Sequence, residues 1–238
     1  MVTRYNEEIN AFYHDQKVGL WVTWYDDEHH RVKTEEYYVD GKLDGLWREW
    51  YNNNQHTEGI LREPWLRHTL RYERSYVDGK LDGLWKSWYN NDQHTLESEG
   101  YFVNGEQDGL WKSWYNNDQH TLESEYYYVN DKLNGLVKHW YNNNQHTLED
   151  EGNYVNGKRD GLWREWYDDD YRHVLKYEGN YVNGKRDGLW RSWYDNNQHT
   201  LMYERHYVNG IRNGHWLEFD YYGNIDFDGE YVNDVKLR

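Results

Sequence analysis

Cysteine is absent and proline occurs once, at Pro64. Without cysteine there is no disulfide framework, no thiol nucleophile and no cysteine-held zinc. Alanine, the best helix former, is present only as Ala11, against 25 Asn and 20 Gly that favour turns, so a mainly helical protein is excluded. No window approaches the roughly 20 apolar residues of a membrane span. The first eight residues, Met-Val-Thr-Arg-Tyr-Asn-Glu-Glu, lack the apolar stretch of a signal peptide, and a cytoplasmic location is the expectation. Positive charge is also in deficit: the net charge is -16. An acidic surface repels phosphate backbones and anionic headgroups, so neither nucleic acid nor membrane is expected as a partner.

Leu, Ile, Val and Phe together number only 43 of 238 residues, which with this charge would ordinarily mark a disordered chain. The 15 Trp and 26 Tyr reverse that reading, because such side chains bury large apolar areas that a flexible tail has no use for. A folded, nearly all-β chain with an aromatic core follows.

The string Asp-Gly-Leu-Trp or a close variant centres on Gly19, Gly45, Gly83, Gly109, Gly135, Gly161, Gly188 and Gly214. The spacing is 26 or 27 residues, apart from one step of 38. The chain is therefore eight copies of one unit of about 26 residues with a 12-residue insertion at about 58–69 in the second. Residues 223–238 begin a ninth. In each unit a first β-prone run ends in Tyr-Val-Asn-Gly or Tyr-Val-Asp-Gly, a strong hairpin signal. The second run, Leu-Trp-x-x-Trp-Tyr, closes in Asn-Asn-Asn-Gln-His-Thr or a relative. One antiparallel hairpin per unit predicts sixteen or seventeen strands in a single-layer, elongated and twisted array, read as one repeat domain over 1–238.

Strand alternation puts Leu110, Lys112 and Trp114 on one face and Trp111, Ser113 and Tyr115 on the other. Both faces thus carry a tryptophan column, expected to be mostly structural with a minority left as contact surface. The acidic first strands should pair with a basic column in the Trp strands, formed by Arg48, Lys86, Lys112, Lys138, Arg164 and Arg191.

The run Gly-Asn-Tyr-Val-Asn-Gly-Lys-Arg-Asp-Gly-Leu-Trp, at 152–163 and again at 179–190, resembles a MORN repeat. It is most similar to the MORN variant of YwqK-type antitoxin proteins, and the resemblance covers essentially the whole chain. It implies a series of β-hairpins that binds or scaffolds other proteins and, in some relatives, neutralises a toxin.

Catalytic chemistry finds little support in the pattern. His56, His94, His120, His146 and His199 share one loop slot in successive hairpins, about 10 Å apart, too far to hold one metal. They read as loop-stabilising residues, with protonation-dependent association as the sharper alternative. Glu97 and Glu99, Glu123 and Glu125, and Glu149 and Glu151 recur in phase, whereas an acid-base pair needs one distinctive cleft. Asp168, Asp169 and Asp170 lack the spaced oxygen ligands of a calcium loop and read as a solvated turn. No cofactor, metal or catalytic residue is expected.

The insertion is a basic and apolar island carrying Arg62, Trp65 and Arg67, residue types that often dominate interfaces. Packing of this loop back onto the sheet as a cover is the equally weighted alternative. The candidate binding residues are these three with the aromatic pairs Trp111 and Tyr115, Trp163 and Tyr167, and Trp190 and Tyr194. The expected function is a non-enzymatic protein-interaction or scaffold module whose partner is a partly basic protein. The alternatives are carbohydrate binding through the aromatic ladder, sequestration of a toxin, and self-association through terminal edge strands.

Overall fold

A computed structural model describes residues 9–27, 31–52, 69–168 and 172–237. Among them are twenty-two β-strands and no helix. The chain forms two compact units, Met1–His120 and Thr121–Arg238. In each, antiparallel strands pair in the order in which they follow along the chain, as the repeat predicts. Four of the Trp-bearing return strands are divided into a two-residue and a six-residue piece, as in Lys158–Arg159 and Gly161–Trp166. This division explains most of the excess over the expected strand count.

Both turns of the unit follow from local chemistry. At the tight turn, Asn183 (φ 51°) and Gly184 (φ 81°) both lie in the left-handed region, the condition for a type I′ hairpin whose twist matches its strands. The wider turn is closed by asparagine. The Asn196 side chain accepts from the Thr200 amide at 3.0 Å and donates to its hydroxyl at 2.9 Å. His199, at φ 51°, reverses the chain. A register shift precedes the second Trp of the motif, between Ser192 and Trp193 and at equivalent sites, so Trp193 pairs with Leu201. This bulge places the next residue, a tyrosine, beyond the regular ladder.

The core lies on one face of the hairpins. In the second unit Trp190, Tyr207 and Trp216 are buried, with Tyr177, Tyr181, Phe227 and Tyr231 packed against them. Covering an indole of roughly 200 Å² at about 25 cal/mol per Å² contributes several kcal/mol, so a few such residues replace a conventional two-layer core.

Candidate binding surfaces

The first Trp of each motif builds the inner face. Trp163 pairs with Gly179, which pairs in turn with Trp190. A β-carbon added to Gly152 or Gly179 would fall within the ring of Trp163 or Trp190. The glycine is therefore the floor on which the indole lies. From there the indole nitrogen donates to a main-chain carbonyl one residue along: Trp163 to Asn153 at 3.2 Å, Trp190 to Asn180 at 3.1 Å and Trp111 to Tyr101 at 3.3 Å. A cation from the hairpin turn covers the ring. Arg159 stands 4.1 Å from the Trp163 centroid and Arg186 4.4 Å from that of Trp190, within cation–π range.

This arrangement corrects the assignment of Trp163 and Trp190 as contact residues. They are 2% and 1% exposed, and their rings are already enclosed by chain. Trp111 is half-buried against Trp85 (5.3 Å) and Phe102 (5.2 Å). Tyr167 and Tyr194 are staples between successive repeats: their hydroxyls donate to the carbonyls of Trp193 and Phe219, each at 2.9 Å. Tyr51, Tyr89 and Tyr141 make the same bond to Trp88, Trp114 and Trp166. Tyr115 sits half-buried just beyond the strand Gly109–Trp114. Arg62, Trp65 and Arg67 lie outside the described residues, as do His56, Asp169 and Asp170.

The second Trp column and the loop histidines form one device on the opposite face. Trp114 stacks on His120 at 5.6 Å and 19°, and Trp166 on His173 at 5.1 Å and 7°. Among the described residues, the Gln-His-Thr imidazoles of His94, His120, His146 and His199 also reach back one repeat: Nε2–H of His120 donates to the Leu96 carbonyl at 2.8 Å, and that of His199 to Leu175 at 3.1 Å. The histidines therefore hold loops, as their shared slot suggests.

Beside this column runs the expected charge ladder. Arg48 bridges Glu35 (3.8 Å) and Glu73 (2.7 Å), and Lys86 meets Glu99 at 3.4 Å. In the second unit Arg164 bridges Glu151 and Glu178, and Arg191 bridges Glu178 and Glu204. Partly solvated pairs of this kind contribute tenths of a kcal/mol each but fix strand register. On the same face, five of the eight repeats leave a leucine bare, whereas Leu20 and Leu189 are half-buried and the eighth repeat carries His215 at that position. Leu46, Leu84 and Leu110 in the first unit and Leu136 and Leu162 in the second are 40–51% exposed. Tyr37 and Tyr101, opposite Leu20 and Leu84, extend the apolar row.

Repeat five departs from the pattern on the inner face. Tyr126 stands where neighbouring repeats have glycine, and Val137, 1% exposed, where they have tryptophan. The Tyr126 hydroxyl lies 2.6 Å from Nε2 of His139, whose Nδ1–H donates to Asp150 at 2.9 Å. The hydrogen bond to Asp150 holds the imidazole above its ordinary pKa, against the opposing effect of burial. Sequence reading missed this group, whose one signal was the loss of the Trp at 137. Among the described residues no cluster of three or more His, Asp or Glu side chains is placed to hold a metal ion. No protein-family model matches the chain, and no curated protein matches it.

Proposed function

We propose that the chain is a non-enzymatic, MORN-like repeat protein that presents the leucine-bearing face of its hairpins to a protein partner. The observation that carries this reading is the leucines left 40–51% exposed at one position of the repeat within each unit, Leu46, Leu84 and Leu110 in the first and Leu136 and Leu162 in the second. Apolar side chains in register along a charged ladder make a surface with a hydrophobic stripe and a polar rim, the composition of protein interfaces. The acidic excess favours a partner with basic character through complementary steering. Toxin sequestration, as in YwqK-type proteins, is the narrower form of the same activity, and the 58–69 loop is a second candidate contact.

Carbohydrate stacking is less well supported. In the first Trp column, Trp163 and Trp190 are floored by glycine and covered by arginine, and five members of the second column stack on histidine. Among the described residues no helix is long and apolar enough to cross a membrane, and a cytoplasmic location belongs to this proposal.

The test is affinity capture from native lysate with the intact chain, with a variant carrying Leu84→Asp, Leu110→Asp, Leu136→Asp and Leu162→Asp, and with a variant lacking residues 58–69. Loss of a specific partner from the leucine variant, with its β-type circular dichroism intact, supports the face. An unchanged set of captured proteins from both variants rejects it.

A further inference from the structure

Arg74 and Arg205 occupy the position of the repeat at which Gly152 and Gly179 floor their indoles, on the inner face. Their surroundings match residue for residue. In the first unit Tyr72 pairs with Ser87 and Arg74 with Trp85; in the second, Tyr203 pairs with Glu218 and Arg205 with Trp216. Each guanidinium lies against the ring of the tyrosine two residues before it, 4.4 Å from the centroid for Arg74 and 3.9 Å for Arg205. One side chain differs. Glu218 accepts from Nη2 of Arg205 at 2.7 Å, whereas the first unit has Ser87 at that position. Arg74 leans the other way, over Trp47 of the preceding strand, 4.7 Å from its centroid.

Arg74 is left without an acceptor. Every other arginine among the described residues donates to a carboxylate or a phenol oxygen. Among the same residues Arg74 donates to neither, and its Nε is buried and unpaired. Nε of Arg205 is unpaired in the same way, but Glu218 meets that side chain through Nη2. Two acids that share the inner face with Trp47 are already engaged. Glu36 accepts from Nε1 of Trp47 at 3.1 Å and from the Tyr38 hydroxyl at 2.8 Å, and Glu49 meets Arg71 at 3.2 Å. A buried donor on a charged group is costly to leave unmade, so the retained guanidinium calls for an acceptor that comes from outside. Its planar fork suits a carboxylate, and Trp47, Tyr72 and Trp85, all half-buried, offer apolar surface beside it. Glu36, Glu49 and the net charge of -16 repel a run of acids or a doubly charged phosphate, which leaves a single carboxylate in an apolar setting.

We infer that Arg74 is the anchor for one carboxylate of a partner peptide, whose flanking apolar residues lie against Trp47, Tyr72 and Trp85. Repeat eight carries its own carboxylate in Glu218, and repeat three takes the equivalent group from its ligand. The ion pair supplies selectivity and the aromatic rings supply apolar contact area. The inference is independent of the leucine-bearing face, since Arg74 stands on the opposite, inner face.

The probe is the unlabelled peptide N-acetyl-Ser-Phe-Glu-Phe-Ser-amide, titrated into the full chain by calorimetry. Saturable binding with a Kd below about 1 mM is expected, weakened roughly tenfold or more when the Glu of the peptide is replaced by Gln. A second peptide, N-acetyl-Ser-Phe-Phe with a free C-terminus, distinguishes a terminal carboxylate from a side-chain one, and the tighter binder identifies the source. Arg74→Leu should weaken binding to the same degree, and Arg205→Leu should leave it unchanged. Ser87→Glu gives Arg74 the internal partner that repeat eight has and should also weaken binding. Glu49, Glu165 and Glu218 show that this position accepts a glutamate, and retained β-type circular dichroism confirms that each variant folds. No saturation by either peptide, equal binding of the Gln peptide, or binding insensitive to Arg74→Leu overturns the assignment. So does binding that appears only when residues 58–69 are deleted, which gives Arg74 to an acid of the chain itself.

Discussion

The indole of Trp163 lies over the α-carbon of Gly152, and its nitrogen donates to the carbonyl of the next residue, Asn153, at 3.2 Å. A methyl group at 152 would have to displace a ring that is 2% exposed. Gly152→Ala should therefore destabilise the second unit by about 3 kcal/mol, the upper range for overpacking. Gly157→Ala is the comparison. Gly157 has φ 77° and open space around it, so the cost there is left-handed strain alone, about 1 kcal/mol. Urea unfolding measures both, and only Gly152→Ala should shift tryptophan emission to longer wavelength. Equal costs and unchanged emission would show that the indole is not seated on the glycine.

Repeat five makes a size exchange across two strands: tyrosine for glycine at 126 and valine for tryptophan at 137. Val137 is 1% exposed, which leaves no room for the larger ring while Tyr126 is present. Val137→Trp alone should cost about 2 kcal/mol through overpacking. Combined with Tyr126→Gly it should recover most of that loss, giving a favourable coupling of roughly 1–3 kcal/mol in a double-mutant cycle. Additive effects of the two changes would mean that the positions do not share one volume.

Hairpins, turns and the two Trp columns were legible because each depends on local signals: glycine spacing, Asn-Gly turns and alternation along a strand. The fate of each column was not. A tryptophan on a strand is buried or bare according to what stands opposite it, and Gly152 and Gly179 lie eleven residues before Trp163 and Trp190. Read as turn-formers, these glycines gave no hint that they are floors for indoles. The tyrosine after each second Trp read as a face residue. A register shift one position earlier turns it into an inter-repeat staple instead. Nothing local in the Gly-Lys-Arg-Asp-Gly turns marks Arg159 and Arg186 as covers for indole rings, since that role depends on the strand opposite. The exposed leucines escaped notice because leucine in a Trp-rich strand looks like core.

His139 makes stability depend on pH. Its hydrogen bond to Asp150, aided by the negative charges of Glu149 and Glu123, raises its folded pKa above the unfolded value of about 6.5. A group with a raised folded pKa binds its proton more tightly in the native state. Its contribution is thus fully present below the unfolded value and is lost as pH climbs through the folded one. The difference in unfolding free energy between the parent and Asp150→Asn should be largest near pH 6 and shrink above neutrality. A difference that stays constant from pH 6 to 9 would mean that His139 is not protonated in the folded chain. Tyr126, 2.6 Å from the other ring nitrogen, is kept by Tyr126→Phe in size but not in hydroxyl, so that variant separates packing from the hydrogen bond.

The tyrosines impose the opposite limit, at high pH. Burial raises the phenol pKa of Tyr25, Tyr51, Tyr126, Tyr128 and Tyr167, and pushes Tyr38 and Tyr141 up to about 12. Neighbouring carboxylates add to the effect, Glu36 at Tyr38 and Glu149 at Tyr141. In the unfolded chain the same groups ionise near pH 10. The folded state therefore holds these protons more tightly, and the stabilisation is complete below pH 10 and disappears as pH rises through about 12. Tyr141 shows why the loss is structural: its hydroxyl donates to the Trp166 carbonyl at 2.8 Å, and a phenolate cannot donate. Absorbance at 295 nm should rise in two stages, the later one, from Tyr38, Tyr51, Tyr141 and Tyr167, coinciding with loss of the β-type spectrum. Tyr141→Phe should remove about 1 kcal/mol at neutral pH and reduce the alkaline dependence. Ionisation of all tyrosines in one step near pH 10 with the fold intact would show that the staples are not formed in solution.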